Sequence, residues 1–140
     1  MLLRRSEAQL KFLQKRFREL VAATPLAFSE LTPSKVPMAA GVYVITARRG
    51  RLHVRYYVGR TKNLQQRLYN NHLMGAASNA RLKKHLVSGG ECATMSTAKQ
   101  FLKAICWVRW IRQDGHRERG AVEGFVTGVL FPKYGIYEEH

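Results

Sequence analysis

The sequence predicts a small mixed α/β fold, and three observations carry that prediction. A β-branched and aromatic hairpin pattern runs from Gly41 to Val58. A run that is apolar on both faces follows at Ala104–Ile111, and amphipathic helical stripes flank both regions. The order hairpin, helices, strand, helix suits a layered domain in which helices cover a sheet. With 140 residues and 46% hydrophobic content, the chain fits one such domain and can bury a core.

Residues 4–22 read as an amphipathic helix, with Leu10, Leu13, Phe17 and Leu20 on one face and Arg4, Arg5, Lys11, Lys15, Arg16 and Arg18 around the rest. Either this helix lies on nucleic acid or a partner as a loosely coupled basic arm, or it packs on the domain with a solvated outer face. Pro25, Pro33 and Pro37 make residues 24–38 a partly extended connector. We therefore divide the chain into a helical arm with its connector, residues 1–37, and a domain of residues 38–140.

Val42–Thr46 and Leu52–Val58 are strands joined by the turn Arg48-Arg49-Gly50-Arg51. Thr61 or Asn63 caps the next helix, which carries Leu64, Leu68 and Leu73. A second helix spans about 79–87, with Ser78 as candidate cap and Gly89-Gly90 as its stop. Ala104–Ile111 reads as a central strand covered on each side, and Asp114-Gly115 turns the chain into a last helix over 118–131. Ala121, Val122, Phe125, Val126 and Val129 are its expected buried side. Gly120, Gly124 and Gly128 recur every four residues, which suggests close backbone packing against the sheet.

The charge balance narrows the function. There are 24 Lys and Arg against 9 Asp and Glu, a net charge of +15, and a domain this basic usually meets a polyanion. No stretch of 18 apolar residues exists to span a bilayer, and the start Met1-Leu2-Leu3-Arg4-Arg5 is not followed by a continuous apolar core, so no membrane partner is expected. Cys92 and Cys106 form no CxxC pair, which argues against a zinc ribbon or disulfide scaffold, and the expected setting is a reducing, cytoplasmic one.

Gly41-Val42-Tyr43, Tyr57-Val58-Gly59, Arg67 ten residues after Tyr57, and Glu123 on the last helix give the chain its chemistry. In that order and spacing they resemble the GIY-YIG nuclease family over roughly residues 38–135. The resemblance implies a small three-stranded antiparallel sheet flanked by helices. It also implies a DNA endonuclease that uses one divalent ion, Mg²⁺ or Mn²⁺, on Glu123 and leaves 5′-phosphate and 3′-hydroxyl ends. Tyr43 is then the general base or water-orienting group, Tyr57 binds water or phosphate, and Arg67 holds the scissile phosphate. Arg60 is the cation beside the tyrosines.

The residue types suit that reaction. Phosphodiester hydrolysis needs an activated water, neutralisation of the transition-state charge and help for the leaving oxygen. Magnesium keeps most of its waters, so one carboxylate suffices to hold it. The alternative for Glu123 is a salt bridge to Arg67 or Arg119. Asn71 shares the Arg67 face at helical spacing. Several family members have His there, whereas here His72 follows, about 100° around an α-helix, and is retained as a site candidate. Arg81, Lys83 and Lys84 form a basic run for flanking phosphates. One departure stands out: Gly135 occupies the place where many members carry Asn. It favours the competing reading, a catalytically weak or inactive GIY-YIG module that binds nucleic acid. With only the arm of residues 1–37 outside the domain, the alternatives for specificity are cutting with little sequence preference, recognition of a DNA structure or single strand, or reliance on a protein partner or self-association.

Overall fold

The structure is a computed structural model, and it describes residues 2–76 and 78–135. In chain order the elements are α1 (Leu2–Ala22), β1 (Leu26–Ala27), short 3₁₀ turns at Phe28–Glu30 and Pro33–Lys35, β2 (Gly41–Arg49), β3 (Leu52–Thr61), a π-helix (Gln66–Leu73), α2 (Arg81–Ser88), α3 (Met95–Ile105), β4 (Cys106–Arg112) and α4 (His116–Leu130). The strands form one antiparallel sheet in the order β1-β4-β2-β3. The fold class is the expected mixed α/β one, but the sheet has four strands, not three. The extra strand pairs Leu26 with Val108 and Ala27 with Trp107. Two residues are too few to carry an alternation pattern, so nothing in the sequence marks it.

The β2–β3 hairpin turns at Gly50, whose φ of 63° suits a residue without a Cβ. Its register contains a β-bulge: Ile45 pairs with Tyr57, but Thr46 pairs with Arg55, leaving Tyr56 as the extra residue. The bulge lets two consecutive tyrosines, Tyr56 and Tyr57, both join the same core. Beyond it, Arg55 and His53 fall on the opposite face, opposite Thr46 and Arg48.

Each face of the sheet has its own core. On one face Tyr43, Ile45, Ala47 and Val108 pack with Phe28, Leu68, Leu82, Leu86 and Leu102 from the connector, π-helix, α2 and α3. On the other, Val42, Val44 and Ile111 pack with Leu20 of α1 and Val122, Val126 and Leu130 of α4. Phe17 of α1 meets Phe125 of α4 edge-to-face at 6.1 Å. The second half of α1 is thus packed on the domain, whereas residues 2–11, including Leu10, are exposed.

Several local expectations change. Helix α3 was not expected. It begins with a reciprocal capping box between Thr94 and Thr97, and Ala98, Phe101, Leu102 and Ile105 form its inner stripe. Ala104 and Ile105 belong to this helix, so β4 starts at Cys106. Strand β4 is interior as expected, but it is not covered throughout, since Trp107 is 42% exposed. Ser78 does not cap α2; Ala80 holds that position without a side-chain bond. Asn63 Oδ1 accepts the Gln66 N–H at 3.1 Å, which makes Asn63 the cap and leaves Thr61 bracing the turn.

The glycine row of α4 is not a packing ridge. A Cβ at Gly124 or Gly128 would meet open space, and Val129 is exposed. Only Gly120 is closely approached, by the Arg60 guanidinium at 2.9 Å from a Cβ position.

Candidate active site

The site is built where β2, β3, the π-helix, α2 and α4 converge. Tyr43, Tyr57, Gly59, Arg60, Arg67, Arg81 and Glu123 line one cleft of about 390 Å³. Tyr43 and Gly59 are cross-strand partners, and a Cβ at Gly59 would collide with the Tyr43 hydroxyl. The glycine of the second motif is therefore the space that the tyrosine of the first one fills.

Tyr43 is fully buried. Its hydroxyl oxygen accepts a hydrogen bond from Arg67 Nε at 3.2 Å and shares another with His72 Nε2 at 2.7 Å. Burial pushes its pKa well up, the neighbouring Tyr57 adds to the rise, and the Arg67 charge only partly offsets them. The cation serving Tyr43 is thus Arg67 and not Arg60. Arg67 also donates from Nη1 to the Asn79 carbonyl at 3.0 Å, which orients the guanidinium at the cleft wall. The Tyr43 and Tyr57 rings lie 6.2 Å apart with an interplanar angle of 22°.

His72 reaches this cluster because its helix is π-type. The Met74 N–H bonds to the Tyr69 carbonyl, an i→i+5 link. In an α-helix, residues five apart diverge by about 140°. The wider turn brings positions 67 and 72 to the same side, so His72 takes up the place that spacing assigned to Asn71. His72 is fully buried and edge-on to both tyrosine rings. Burial, then the charges of Arg67, Lys83 and Arg81, hold its pKa well below the usual histidine value, so the ring is neutral. Its Nδ1 is buried without a hydrogen-bond partner among the described residues.

Glu123 faces Arg60 across the cleft, with Nη1 to Oε1 at 3.6 Å and side chains 48% and 27% exposed. That pair differs from the Arg67 or Arg119 salt bridge envisaged from sequence. Arg119 is buried and donates to the carbonyls of Gln113 and Asp114. Burial raises the Glu123 pKa above the ordinary carboxylate value and Arg60 offsets this only in part. Glu123 is thus an under-compensated anion in a polar cleft. Glu123 is the carboxylate lining the cleft, and no group of three or more His, Cys, Asp or Glu that could hold an ion occurs among the described residues. That donor set suits a hard ion that retains its water, such as Mg²⁺, and not a zinc cage.

The basic run on α2 divides. Arg81 lines the cleft and Lys84 is exposed. Lys83 departs from its expected role: it is 3% exposed and donates to the Leu73 and Gly75 carbonyls at 2.8 Å each. It closes the end of the π-helix and presents no charge to a phosphate.

A second network supports the site from behind, and it was not foreseen. Glu91, 13% exposed, accepts from Tyr56 Oη at 3.0 Å and from Tyr134 Oη, and pairs with Lys133 at 3.1 Å and Arg49 at 3.3 Å. Burial pushes its pKa up, but the hydrogen bonds from Tyr134, Lys133 and Tyr56 outweigh this and leave it lowered. The Tyr134 ring stacks on His85 at 5.5 Å, and His85 lies 6.4 Å from the Tyr57 ring. After α4 ends at left-handed Phe131, Lys133 and Tyr134 donate their N–H groups to the Arg55 and Tyr56 carbonyls along the edge of β3. Gly135 follows with φ +90°, and a Cβ there would lie 3.1 Å from the Tyr57 ring. Paired Tyr and Glu residues far apart in sequence give no spacing signal, which is why this brace is invisible before folding.

The family model of the GIY-YIG catalytic domain matches residues 39–115, more than half of the chain. Comparison with curated proteins and with solved structures gives no significant match. The matched segment contains both tyrosine motifs, Arg67 and His72, and α4 adds Glu123 to the cleft they line. The chain belongs to the GIY-YIG family of nuclease domains.

Proposed function

We propose that this chain is a metal-dependent DNA endonuclease that hydrolyses phosphodiester bonds to 5′-phosphate and 3′-hydroxyl ends. The observation that carries the reading is the convergence of Tyr43, Tyr57, Arg60, Arg67, Arg81 and Glu123 on one polar cleft. The net charge of +15 supports a polyanionic substrate. Buried, free Cys92 and Cys106 suit a reducing, cytoplasmic setting, and no helix of the described residues is long and apolar enough to cross a membrane.

Each residue then has a part. Arg67 and Arg81 receive the phosphate, Arg67 as a fork that can give two parallel bonds. Tyr43 orients the attacking water as general base, its hydroxyl held by His72 at 2.7 Å and by Arg67 at 3.2 Å, whose guanidinium charge offsets the phenolate that forms. Tyr57 orders water or phosphate at the cleft wall. Glu123 holds Mg²⁺ or Mn²⁺, which when bound supplies charge neutralisation to the transition state and the leaving oxygen. Arg60 leaves Glu123 for a phosphate oxygen as substrate enters.

Two observations favour a second reading, a nucleic-acid-binding module with weak cleavage or none. Glu123 is engaged by Arg60 at 3.6 Å, and Gly135 stands in the place of the family Asn. Plasmid nicking with Mg²⁺ and with EDTA separates the two. Nicking that needs Mg²⁺ and disappears in Glu123→Gln is the expected result. Plasmid binding without metal-dependent nicking selects the module.

A further inference from the structure

Helices α1 and α4 cover only part of their face of the sheet. Toward the hairpin turn this face opens into solvent beyond the ends of the two helices, where Phe17 and Val21 of α1 and Leu130 of α4 border it. Strand register places Trp107, Thr46 and Arg55 in one row across β4, β2 and β3, with Arg48 and His53 paired in the next row. Arg109 lies one step back along β4 from Trp107, opposite Val44. Two shallow cavities of about 200 and 350 Å³ open here and share Thr46, His53 and Arg109. Neither shares a residue with the Tyr43 cleft.

The chemistry of this surface is one-sided. Among the described residues Arg48, Arg55 and Arg109 form no ion pair and no carboxylate lines either cavity. Arg109 Nη1 donates to Thr46 Oγ1 at 3.3 Å, and its Nε is buried with no partner. A tryptophan 42% exposed on a strand, next to three uncompensated guanidinium groups, has no role in packing that explains its exposure.

From this arrangement we infer that the uncovered end of the sheet is a platform for a single-stranded segment of nucleic acid. The inference rests on the nucleic-acid substrate proposed above and adds a second contact to it. An unpaired base stacks on the Trp107 indole, and its flanking phosphates meet Arg55, Arg48 and Arg109. A base inside a duplex has no free face to offer, so the occupant is single-stranded at this point. The platform lies on the opposite face of the sheet from Tyr43, three to five residues or about 10–17 Å further along β2. It therefore engages the strand away from the scissile phosphate and favours substrates that carry an unpaired segment.

Tryptophan fluorescence tests this directly. A single-stranded oligothymidylate is titrated into the full chain in EDTA, where no metal-dependent cleavage occurs. The wild-type signal is expected to be quenched at saturation. Trp107→Ala should weaken binding about 10-fold and Trp107→Phe should restore most of the affinity without the quench. Arg55→Ala should lower the slope of log affinity on log salt by about one phosphate contact. Binding of Trp107→Ala within about twofold of wild type, with no quench in the wild-type chain, overturns the platform. So does a concentration-dependent quench without oligonucleotide, which would give this face to a second copy of the chain. The platform and the nuclease reading fail separately: metal-dependent plasmid nicking with an unperturbed Trp107 overturns the platform alone, and a Trp107-dependent quench with no nicking overturns the nuclease alone.

Discussion

Two carboxylates, Glu91 behind Tyr56 and Glu123 in the cleft lined by Tyr57, are treated in opposite ways. Glu91 accepts from Tyr56 and Tyr134 and pairs with Lys133 and Arg49. Glu123, more exposed, has among the described residues one ion pair, at 3.6 Å, and a backbone hydrogen bond, both from Arg60. Their pKa values move apart accordingly, Glu91 down through its hydrogen bonds and Glu123 up through burial. A carboxylate whose lone pairs are all used is part of the scaffold. One that is buried and left under-compensated retains the capacity to bind a cation. Both are glutamates in a basic chain, so only their surroundings distinguish them.

The strongest way to break this contrast is at the cleft. Arg67→Ala and Tyr43→Phe should each lower the cleavage rate by at least about 10²-fold, the usual scale for losing a charged phosphate contact or a general base. Tyr43→Phe should keep DNA affinity, since the ring and the strand remain. Near-normal single-turnover rates in either variant would remove that residue from the site.

At the brace the expected effect is on stability. Glu91→Gln should cost about 1.5–3 kcal/mol, the scale of a hydrogen bond to a charged group, read from chemical denaturation. The sign with pH follows from the lowered pKa. The unfolded chain binds the Glu91 proton more readily than the folded one, so this stabilisation is present above about pH 4.5, the ordinary value, and is lost as pH falls through the lowered folded value. Glu91→Gln should flatten the acid limb of the stability profile, and an unchanged limb would contradict the network. His72 gives a second acid limb. Its pKa is also lowered in the folded state, so its contribution is full above about pH 6.5 and declines below that as the unfolded chain takes up the proton. His72→Asn should remove that limb.

The smallest effect expected is at Gly135. Its φ of +90° and its approach to Tyr57 make any side chain costly. Gly135→Val should destabilise by about 1–2 kcal/mol and slow cleavage, whereas Gly135→Asn, better tolerated at positive φ, should do less of both. A fully stable and active Gly135→Val protein would detach this segment from the site.

How much of this was legible beforehand depended on whether a feature has a period or a motif. The hairpin, the last helix and the Tyr43, Tyr57, Arg67 and Glu123 set could be read because alternation, helical spacing and the two tripeptides each leave a pattern. The β-bulge at Tyr56 and the π-helix at Gln66–Leu73 each arise from a single extra residue, which leaves the composition unchanged. Yet they decide which side chains enter the site: the bulge puts both Tyr56 and Tyr57 in one core, and the π-turn substitutes His72 for Asn71. Lys83 could not be separated from Lys84 by sequence, because both are lysines on a short helix and only tertiary packing buries one of them. Helix α3 was readable from Thr94, Thr97 and the Ala98–Ile105 stripe, but the strand-like run after it drew Ala104 and Ile105 into the wrong element.

The most direct test of the central claim, that Glu123 is kept under-compensated to hold a metal ion, is a crystal soaked in Mn²⁺ and read at the manganese absorption edge, beside the same soak of Glu123→Gln. The account predicts one anomalous peak about 2 Å from a Glu123 carboxylate oxygen, close to the usual distance for hard ions of this size, and no peak there in the variant. A peak at Glu91 instead, or one in the cleft that survives Glu123→Gln, would contradict it.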